Sequence, residues 1–100
     1  MLAEFSVMPV GAGESVSQYV ADCLRIVDMS GVDYRLNPMG TVLEGDYDQV
    51  MAVIAECHTS VAASCTRVAT TIRIDDRRGT TDMLRSKMES VEKKVGKRLQ

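Results

Sequence analysis

The spacing of apolar and polar side chains along the chain predicts seven elements of secondary structure. Four stretches alternate with a period of two, which is typical of half-buried strands. They cover residues 2–8, 34–37, 41–44 and 67–75. Apolar residues recur three or four positions apart after Ser15 and after Asp46, which predicts two amphipathic helices. A narrower apolar stripe from Leu84 to Leu99 predicts a third helix that Thr81 can cap.

Residues that favour turns and helix ends separate these elements. Gly31 is placed to end the first helix in a left-handed conformation. The sequence Asn-Pro-Met-Gly at residues 37–40 suits a type I turn, so the strands on either side are predicted to form a hairpin. Ser15 with Gln18 predicts a capping box at the start of the first helix, and Asp46 with Gln49 predicts one at the start of the second.

The first six elements have the order of a ferredoxin-like sandwich, β-α-β-β-α-β. In this α+β fold, a four-stranded antiparallel sheet carries two helices on one face; the third helix is additional. With 100 residues of globular composition, the chain is predicted to form a single domain spanning residues 1–100. Such a sandwich leaves the second sheet face open. The strand pattern assigns to this open face Leu2, Glu4, Ser6, Met8, Arg35, Asn37, Val42, Glu44, Ala69, Thr71 and Arg73.

Charge and aromatic content argue against a nucleic-acid partner. The chain has a formal net charge of -2 and a pI near 5.3, whereas phosphate binding depends on a basic surface. The strand aromatics Phe5 and Tyr34 are both predicted to point toward the helices, where bases cannot stack on them. Residues 76–100 hold eight basic and four acidic side chains, which is typical of either a solvated helix or a contact with an acidic surface.

The simplest location for this protein is the cytoplasm. The first residues lack the basic and apolar regions of a secretory signal. No apolar run approaches the ~18 residues that a membrane-spanning helix needs. The three cysteines have neither disulfide-framework nor zinc-ligand spacing, so Cys23 and Cys57 are predicted to be reduced core residues.

Few side chains are suited to catalysis or metal binding. His58 is the only histidine, which excludes a site built from two histidines of one chain. Glu4 and Glu44 could pair on neighbouring strands, but acid–base chemistry would also need a water-poor pocket. An equally good interpretation of Glu4 is a cross-strand ion pair with Arg73 that marks no site.

Three blocks of the sequence form a specific combination. Met-Pro-Val-Gly at residues 8–11 follows the strand that carries Glu4. Tyr-Arg-Leu-Asn-Pro-Met-Gly-Thr-Val-Leu-Glu-Gly stands at residues 34–45, and Ile-Arg-Ile-Asp-Asp-Arg-Arg at residues 72–78. Together these blocks resemble the small ferredoxin-like thiamine-binding protein family, also described as YkoF-like. The resemblance extends over nearly the whole chain.

This resemblance implies a cytoplasmic, non-enzymatic homo-oligomer, often a tetramer, that binds thiamine or its hydroxymethylpyrimidine part. The aminopyrimidine needs paired hydrogen-bond donors and acceptors, and the thiazolium cation favours negative charge. Asn37, Thr41, Glu44 and Glu4 are the matching residue types, and Met8 can serve as an apolar wall. No metal or bound cofactor is expected besides the ligand itself.

The sequence therefore predicts a homotetramer, built as a dimer of dimers, that binds a thiamine-type pyrimidine and has no nucleic-acid or membrane partner. The open sheet face, the sheet edges and the apolar stripe of the terminal helix are the expected subunit contacts. An alternative is an oligomeric enzyme or metal-dependent protein that uses Glu4, Glu44 and Asp75 at a subunit boundary. A purely structural oligomer is a third interpretation.

Overall fold

The computed structural model describes residues 1–11, 16–79 and 82–99. Within these ranges every predicted element is present, with ends that differ by a few residues. The elements are β1 (Leu2–Pro9), α1 (Val16–Met29), β2 (Asp33–Asn37), β3 (Gly40–Glu44), α2 (Tyr47–Ala62), β4 (Val68–Asp75) and α3 (Met83–Val95). The helix caps predicted at Ser15 and Thr81 lie outside the described residues.

The four strands form one antiparallel sheet in the order β2-β3-β1-β4. Glu4 on the inner strand β1 stands opposite Val42 on β3 and Arg73 on β4. Because side chains alternate along a strand, this register confirms the predicted assignment of residues to the two faces. The observed order and pairing confirm the prediction of a ferredoxin-like α+β sandwich.

The hydrophobic core lies between one sheet face and the helices α1 and α2. Its centre is Leu43 on β3, which is fully buried, with Val27 from α1 and Val50 from α2. The other buried core residues are Ala3, Phe5, Cys23, Val32, Val53, Ile54, Cys57 and Val61. Cys23 and Cys57 are therefore core residues, as predicted. A core made largely of valine and other small side chains lets the two helices approach the sheet and each other closely.

The strand aromatics point toward the helices, as predicted. Phe5 is buried, whereas Tyr34 lies near the β2 edge of the sheet and stays 41% exposed. The Tyr34 hydroxyl donates a hydrogen bond of 2.9 Å to the Asp28 carboxylate near the end of α1. This bond raises the pKa of Tyr34 because the neutral phenol is the donor.

Two predicted helix ends have different outcomes. α1 stops at Met29, and Gly31 adopts a positive φ of 78°, which confirms it as the left-handed residue. The capping box predicted at α2 is wrong, because the Asp46 side chain makes no capping hydrogen bond. The Gln49 side chain instead folds against Gly45, where its Oε1 atom lies 2.8 Å from the position of an added Cβ.

The sheet face opposite α1 and α2 is partly covered, which corrects the prediction that it stays open. α3 lies on this face beside β3. Leu84 and Met88 of α3, together with Leu2 and Val42 of the sheet, line the groove between helix and sheet. Half of the apolar stripe predicted as a subunit contact therefore faces the chain's own sheet. Its other members, Val91 and Val95, are 49% and 55% exposed.

The last residue assigned to that stripe, Leu99, is not helical. α3 ends at Val95 because Gly96 takes a left-handed conformation with φ of 85°. After Gly96 the Leu99 amide donates a 2.5 Å hydrogen bond to the Glu92 carboxylate, so the chain turns back along its own helix. The helical spacing of Leu99 in the sequence is thus interrupted by the glycine.

Two interactions hold α3 on the sheet. The Glu44 carboxylate accepts hydrogen bonds from the Met83 amide at 2.5 Å and from the Leu84 amide at 3.2 Å. These amides belong to the first turn, where helical backbone donors have no partner within the helix and the helix dipole favours an anion. In addition, Lys87 forms an ion pair with Asp75 of β4, which lowers the pKa of Asp75. The basic terminal segment therefore contacts an acidic position of its own sheet.

We predict that replacing Glu44 by alanine loosens α3 without unfolding the sandwich. The loss of two charge-assisted hydrogen bonds should lower the free energy of unfolding by about 1 to 2 kcal/mol. Hydrogen exchange should quicken at the amides of α3 and stay unchanged in β1. Glu4→Ala is the matched control, since Glu4 is on the same face and touches no helix amide in the described structure. Equal exchange in both variants would contradict this role of Glu44.

Candidate functional site

A cleft of about 280 Å³ lies where the end of β1, the β2–β3 hairpin and α1 meet. Its lining residues come from these three parts of the chain. They are Phe5, Ser6, Val7, Met8, Val20, Cys23, Leu24, Leu36, Asn37, Pro38, Met39, Gly40 and Thr41. The cleft is large enough for a small heterocyclic molecule, although it is at the lower end of the usual range for ligand pockets.

The walls of the cleft are mostly apolar and accessible. Val20 of α1 and Leu36 of β2 are 42% and 54% exposed, and Met8 and Met39 are 49% and 89% exposed. In α1 Cys23 and Val27 are buried, and Tyr19 and Ile26 pack against the core, whereas Val20 lies beside this packing and stays accessible. Exposed apolar walls of this kind mark a surface that a ligand or partner can cover.

Uncharged polar residues border the apolar walls of the cleft. Thr41, on β3 opposite Phe5, is 7% exposed and is the one polar residue that is buried among the described residues. Asn37, half-buried at the last position of β2, and Ser6 of β1 also border the cleft, and strand alternation turns their side chains toward the opposite face of the sheet. The lining includes no charged side chain among the described residues. An apolar cleft with a small number of placed hydrogen-bonding groups is typical of small-molecule sites.

Glu4 lies on the other face of the sheet, behind the hairpin. A Cβ atom added to Gly40 would meet the Glu4 Cγ atom at 3.3 Å and the Phe5 carbonyl oxygen at 3.2 Å. The Glu4 carboxylate also stands 3.8 Å from the Arg73 guanidinium, and the two side chains are 41% and 80% exposed. This confirms the predicted cross-strand pair, which at this length and exposure contributes little to stability.

Three of the five predicted ligand contacts line the cleft, namely Asn37, Thr41 and Met8. Of these, Thr41 points toward the helices, whereas Asn37 and Met8 alternate onto the sheet face of Glu4. Glu4 stands behind the cleft, and Glu44 is occupied with the first turn of α3. Thr41 and Glu44 are three positions apart on one strand, so their side chains point to opposite faces of the sheet. Thr41 and Glu44 therefore belong to the same sequence block, at residues 34–45, but not to the same site.

Several cleft residues were not singled out from the sequence. They are Ser6, Val20, Leu24, Leu36 and Met39. The spacing of the apolar residues in α1, with the adjacent pairs Tyr19–Val20 and Cys23–Leu24, is the usual pattern of a helix packed on a core. It therefore carries no separate signal for the cleft residues Val20 and Leu24.

The carboxylates of the enzyme or metal interpretation share one sheet face, but each has a partner of its own. Asp75 pairs with Lys87, and the His58 Nδ1 atom lies 2.6 Å from the Thr70 hydroxyl, which joins α2 to β4. Among the described residues, no three histidine, cysteine or acidic side chains cluster as metal ligands would. The helices within the described ranges include none with the length and apolar character to cross a membrane.

Sequence comparison relates nearly the whole chain to known proteins. A family profile described as thiamine-binding protein matches residues 3–92. A UPF0045 protein of Mycobacterium bovis is 40% identical over 94 residues, which cover 93% of this chain and 92% of the relative. A UPF0045 protein of Methanocaldococcus jannaschii is 33% identical over 91 residues, which cover 91% of each chain.

Solved structures agree with the fold. A hypothetical protein of Methanocaldococcus jannaschii superimposes with a TM-score of 0.83 at 33% identity, covering 90% of this chain and 93% of that one. A Thermotoga maritima protein, whose name proposes a part in thiamine biosynthesis or salvage, gives a TM-score of 0.73 at 18% identity. The match covers 95% of this chain and 94% of that one, and at this identity it concerns the fold alone.

We predict that a methyl group at Gly40, a residue of the cleft, destabilises the fold. Gly40→Ala brings a Cβ against the backbone oxygen of Phe5 in an inner strand, which cannot yield easily, and should cost about 1 to 2 kcal/mol of unfolding free energy. Gly45→Ala is the matched control, because its Cβ would meet chiefly the end of the flexible Gln49 side chain. Denaturant unfolding of both variants gives the comparison. A larger loss in Gly45→Ala would refute the tight approach at Gly40.

Proposed function

Since the chain belongs to the thiamine-binding protein family, we propose that it binds thiamine, or the hydroxymethylpyrimidine part of thiamine, in the cleft between the hairpin and α1. The observation that carries this proposal is the combination of apolar walls with the uncharged polar groups of Asn37 and Thr41. A pyrimidine ring has two apolar faces and a polar edge, so it needs both kinds of surface.

The pyrimidine is proposed to lie between α1 and β2. Val20 and Leu24 of α1 offer one apolar wall, and Leu36 on the helix side of β2 offers the other. The Asn37 amide can donate and accept hydrogen bonds, as can the Thr41 hydroxyl, which matches the alternating donors and acceptors of an aminopyrimidine edge. Each hydrogen bond also gains strength from the low polarity of the surroundings.

The thiazolium ring is proposed to extend out of the cleft. No charged side chain lines the cleft among the described residues, so the cation gains little from entering it. The Glu4 carboxylate lies behind the cleft residue Gly40 and is only loosely paired with Arg73. We therefore expect hydroxymethylpyrimidine to account for most of the affinity of thiamine.

We propose that binding is not followed by chemical conversion and that the protein acts in the cytoplasm. The carboxylates of the enzyme interpretation are engaged elsewhere, with Glu44 holding α3 and Asp75 paired with Lys87. The three cysteines carry free thiols, which supports a reducing compartment. Turnover of thiamine that is lost in Glu44→Gln would favour the enzyme interpretation instead.

We also propose that the chain assembles as a homotetramer, a dimer of dimers, through two separate surfaces. The first is the free edge of β4, where Ile72 and Ile74 remain 37% and 46% exposed on the helix side. An exposed sheet edge with apolar side chains favours pairing with a second strand. The second is the outer side of α3, where Val91 and Val95 are exposed. Two distinct surfaces are what a dimer of dimers requires.

Calorimetric titration tests the ligand. The wild-type protein should bind thiamine and hydroxymethylpyrimidine saturably, and Thr41→Val and Asn37→Ala should each weaken binding about tenfold through the loss of a buried hydrogen bond. Met29→Ala is the control, since Met29 is 82% exposed and is not among the cleft residues. Absence of heat with either compound, together with an unchanged melting temperature at millimolar ligand, would refute the proposal.

Light scattering tests the assembly. If both surfaces are used, Ile74→Glu and Val91→Glu should each halve the mass of the wild-type particle, and the double variant should be a monomer. Met29→Glu adds the same charge at an exposed apolar side chain outside both surfaces and should leave the mass unchanged. A monomeric wild type, or an unchanged mass in both single variants, would contradict the proposed tetramer.

A further inference from the structure

Cys23 and Cys57 face each other across the contact between α1 and α2. The Cys57 thiol donates to the Cys23 carbonyl oxygen with a sulfur–oxygen distance of 3.5 Å. The Cys23 thiol donates to the Cys57 carbonyl oxygen at 3.8 Å. This reciprocal arrangement places each sulfur against the backbone of the other cysteine. Two thiols held side by side on packed helices are chemically a dithiol.

The two thiols differ in access and acidity. Cys23 lines the cleft and is 7% exposed, whereas Cys57 is fully buried. The neighbouring Cys57 side chain lowers the pKa of Cys23, while the Cys23 side chain, together with burial, raises the pKa of Cys57. The thiolate therefore forms first on Cys23, on the side that a small molecule reaches from the cleft. Reactivity of a cysteine depends on both properties.

We propose that Cys23 and Cys57 form a redox pair, in which a small hydroperoxide that enters the cleft oxidises Cys23 and Cys57 then closes a disulfide between α1 and α2. This inference goes beyond the binding of a pyrimidine and does not require it. The remaining cysteine, Cys65, is half-buried and raises the pKa of the neighbouring Tyr19. Cys65 has no neighbouring cysteine among the described residues, so it is not expected to form a disulfide within the chain.

Each step of the reaction balances. The Cys23 thiolate attacks the terminal oxygen of the hydroperoxide, the O–O bond breaks, and the released alkoxide or hydroxide takes a proton to leave as alcohol or water. Cys23 is then a sulfenic acid. The sulfur of Cys57 attacks the sulfur of Cys23, the S–S bond forms as the S–O bond breaks, and the departing hydroxide takes the Cys57 proton to leave as water. A thiol reductant reverses the change by exchange.

Oxidation is expected to alter the cleft as well as the core. A disulfide requires its two sulfurs at bonding distance and narrow limits on the separation of the backbones. Its formation therefore fixes the spacing of α1 and α2 at the residue that lines the cleft. The oxidised and reduced proteins should present different cleft walls to a ligand.

The experiment uses the full chain with Cys65→Ser, so that two thiols remain. After treatment with hydrogen peroxide, both thiols should disappear together, the intact mass should fall by two hydrogen atoms, and a non-reducing digest should give the Cys23–Cys57 peptide. Dithiothreitol should restore both thiols. Addition of oxygen to Cys23 without a disulfide, a cross-link between chains, or thiols that stay free in the folded protein would each overturn the redox pair.

A second variant separates the two steps. With Cys57→Ser added, Cys23 should stop at the sulfenic acid and become labelled by dimedone, whereas the parent protein should not accumulate this label. Equal labelling of the two proteins would refute the role of Cys57. The parent protein alone still tests the disulfide if this variant fails to fold.

A protection measurement relates the redox pair to the cleft and, unlike the disulfide itself, rests on the proposed function. At ten times its dissociation constant, hydroxymethylpyrimidine should slow the oxidation of Cys23 about tenfold, because only the free protein reacts. Saturable pyrimidine binding with no protection would place the pyrimidine outside the cleft and overturn the proposed site, while disulfide formation would still support the redox pair.

Discussion

The alternation of side chains along β3 is the constraint on which the rest of this molecule depends. Leu43 and Thr41 point toward α1 and α2 and are buried, whereas Val42 and Glu44 point to the opposite face. One short strand therefore supplies the centre of the core, the polar group of the cleft and the carboxylate that holds α3. Because the period is two, no side chain can serve both faces.

Much of the fold could be predicted because short-range patterns determine it. The period of two predicts which residues of each strand lie on the same face of the sheet, and the turn at residues 37–40 predicts the hairpin. The observed pairing of β2 with β3 agrees with both predictions. The position of α3 could not be predicted in this way. It depends on Glu44 and the Met83 amide, which are 39 positions apart in the sequence. Because almost every residue type has a backbone amide, the sequence pattern does not show which amide the Glu44 carboxylate binds.

The candidate site was predictable only in part, for a related reason. Asn37, Thr41 and Met8 were found through residue chemistry and motif, and all three line one cleft. Glu44 has equally suitable chemistry, but its place in the alternation points it away. Val20 and Leu24 line the cleft but were not predicted to do so. Helical spacing shows which residues share a face of the helix, and it does not show how far the sheet covers that face.

The pairing of β1 with β4 also sets a condition on how the chain can be made. Leu2 stands opposite Asp75, and the whole of β1 pairs with β4, which follows the other three strands in the chain. During synthesis one edge of β1 therefore stays unpaired until β4 has emerged from the ribosome. Contacts so distant in sequence also slow the search of the free chain. Nascent β1 is thus the segment that a chaperone would need to shield during synthesis.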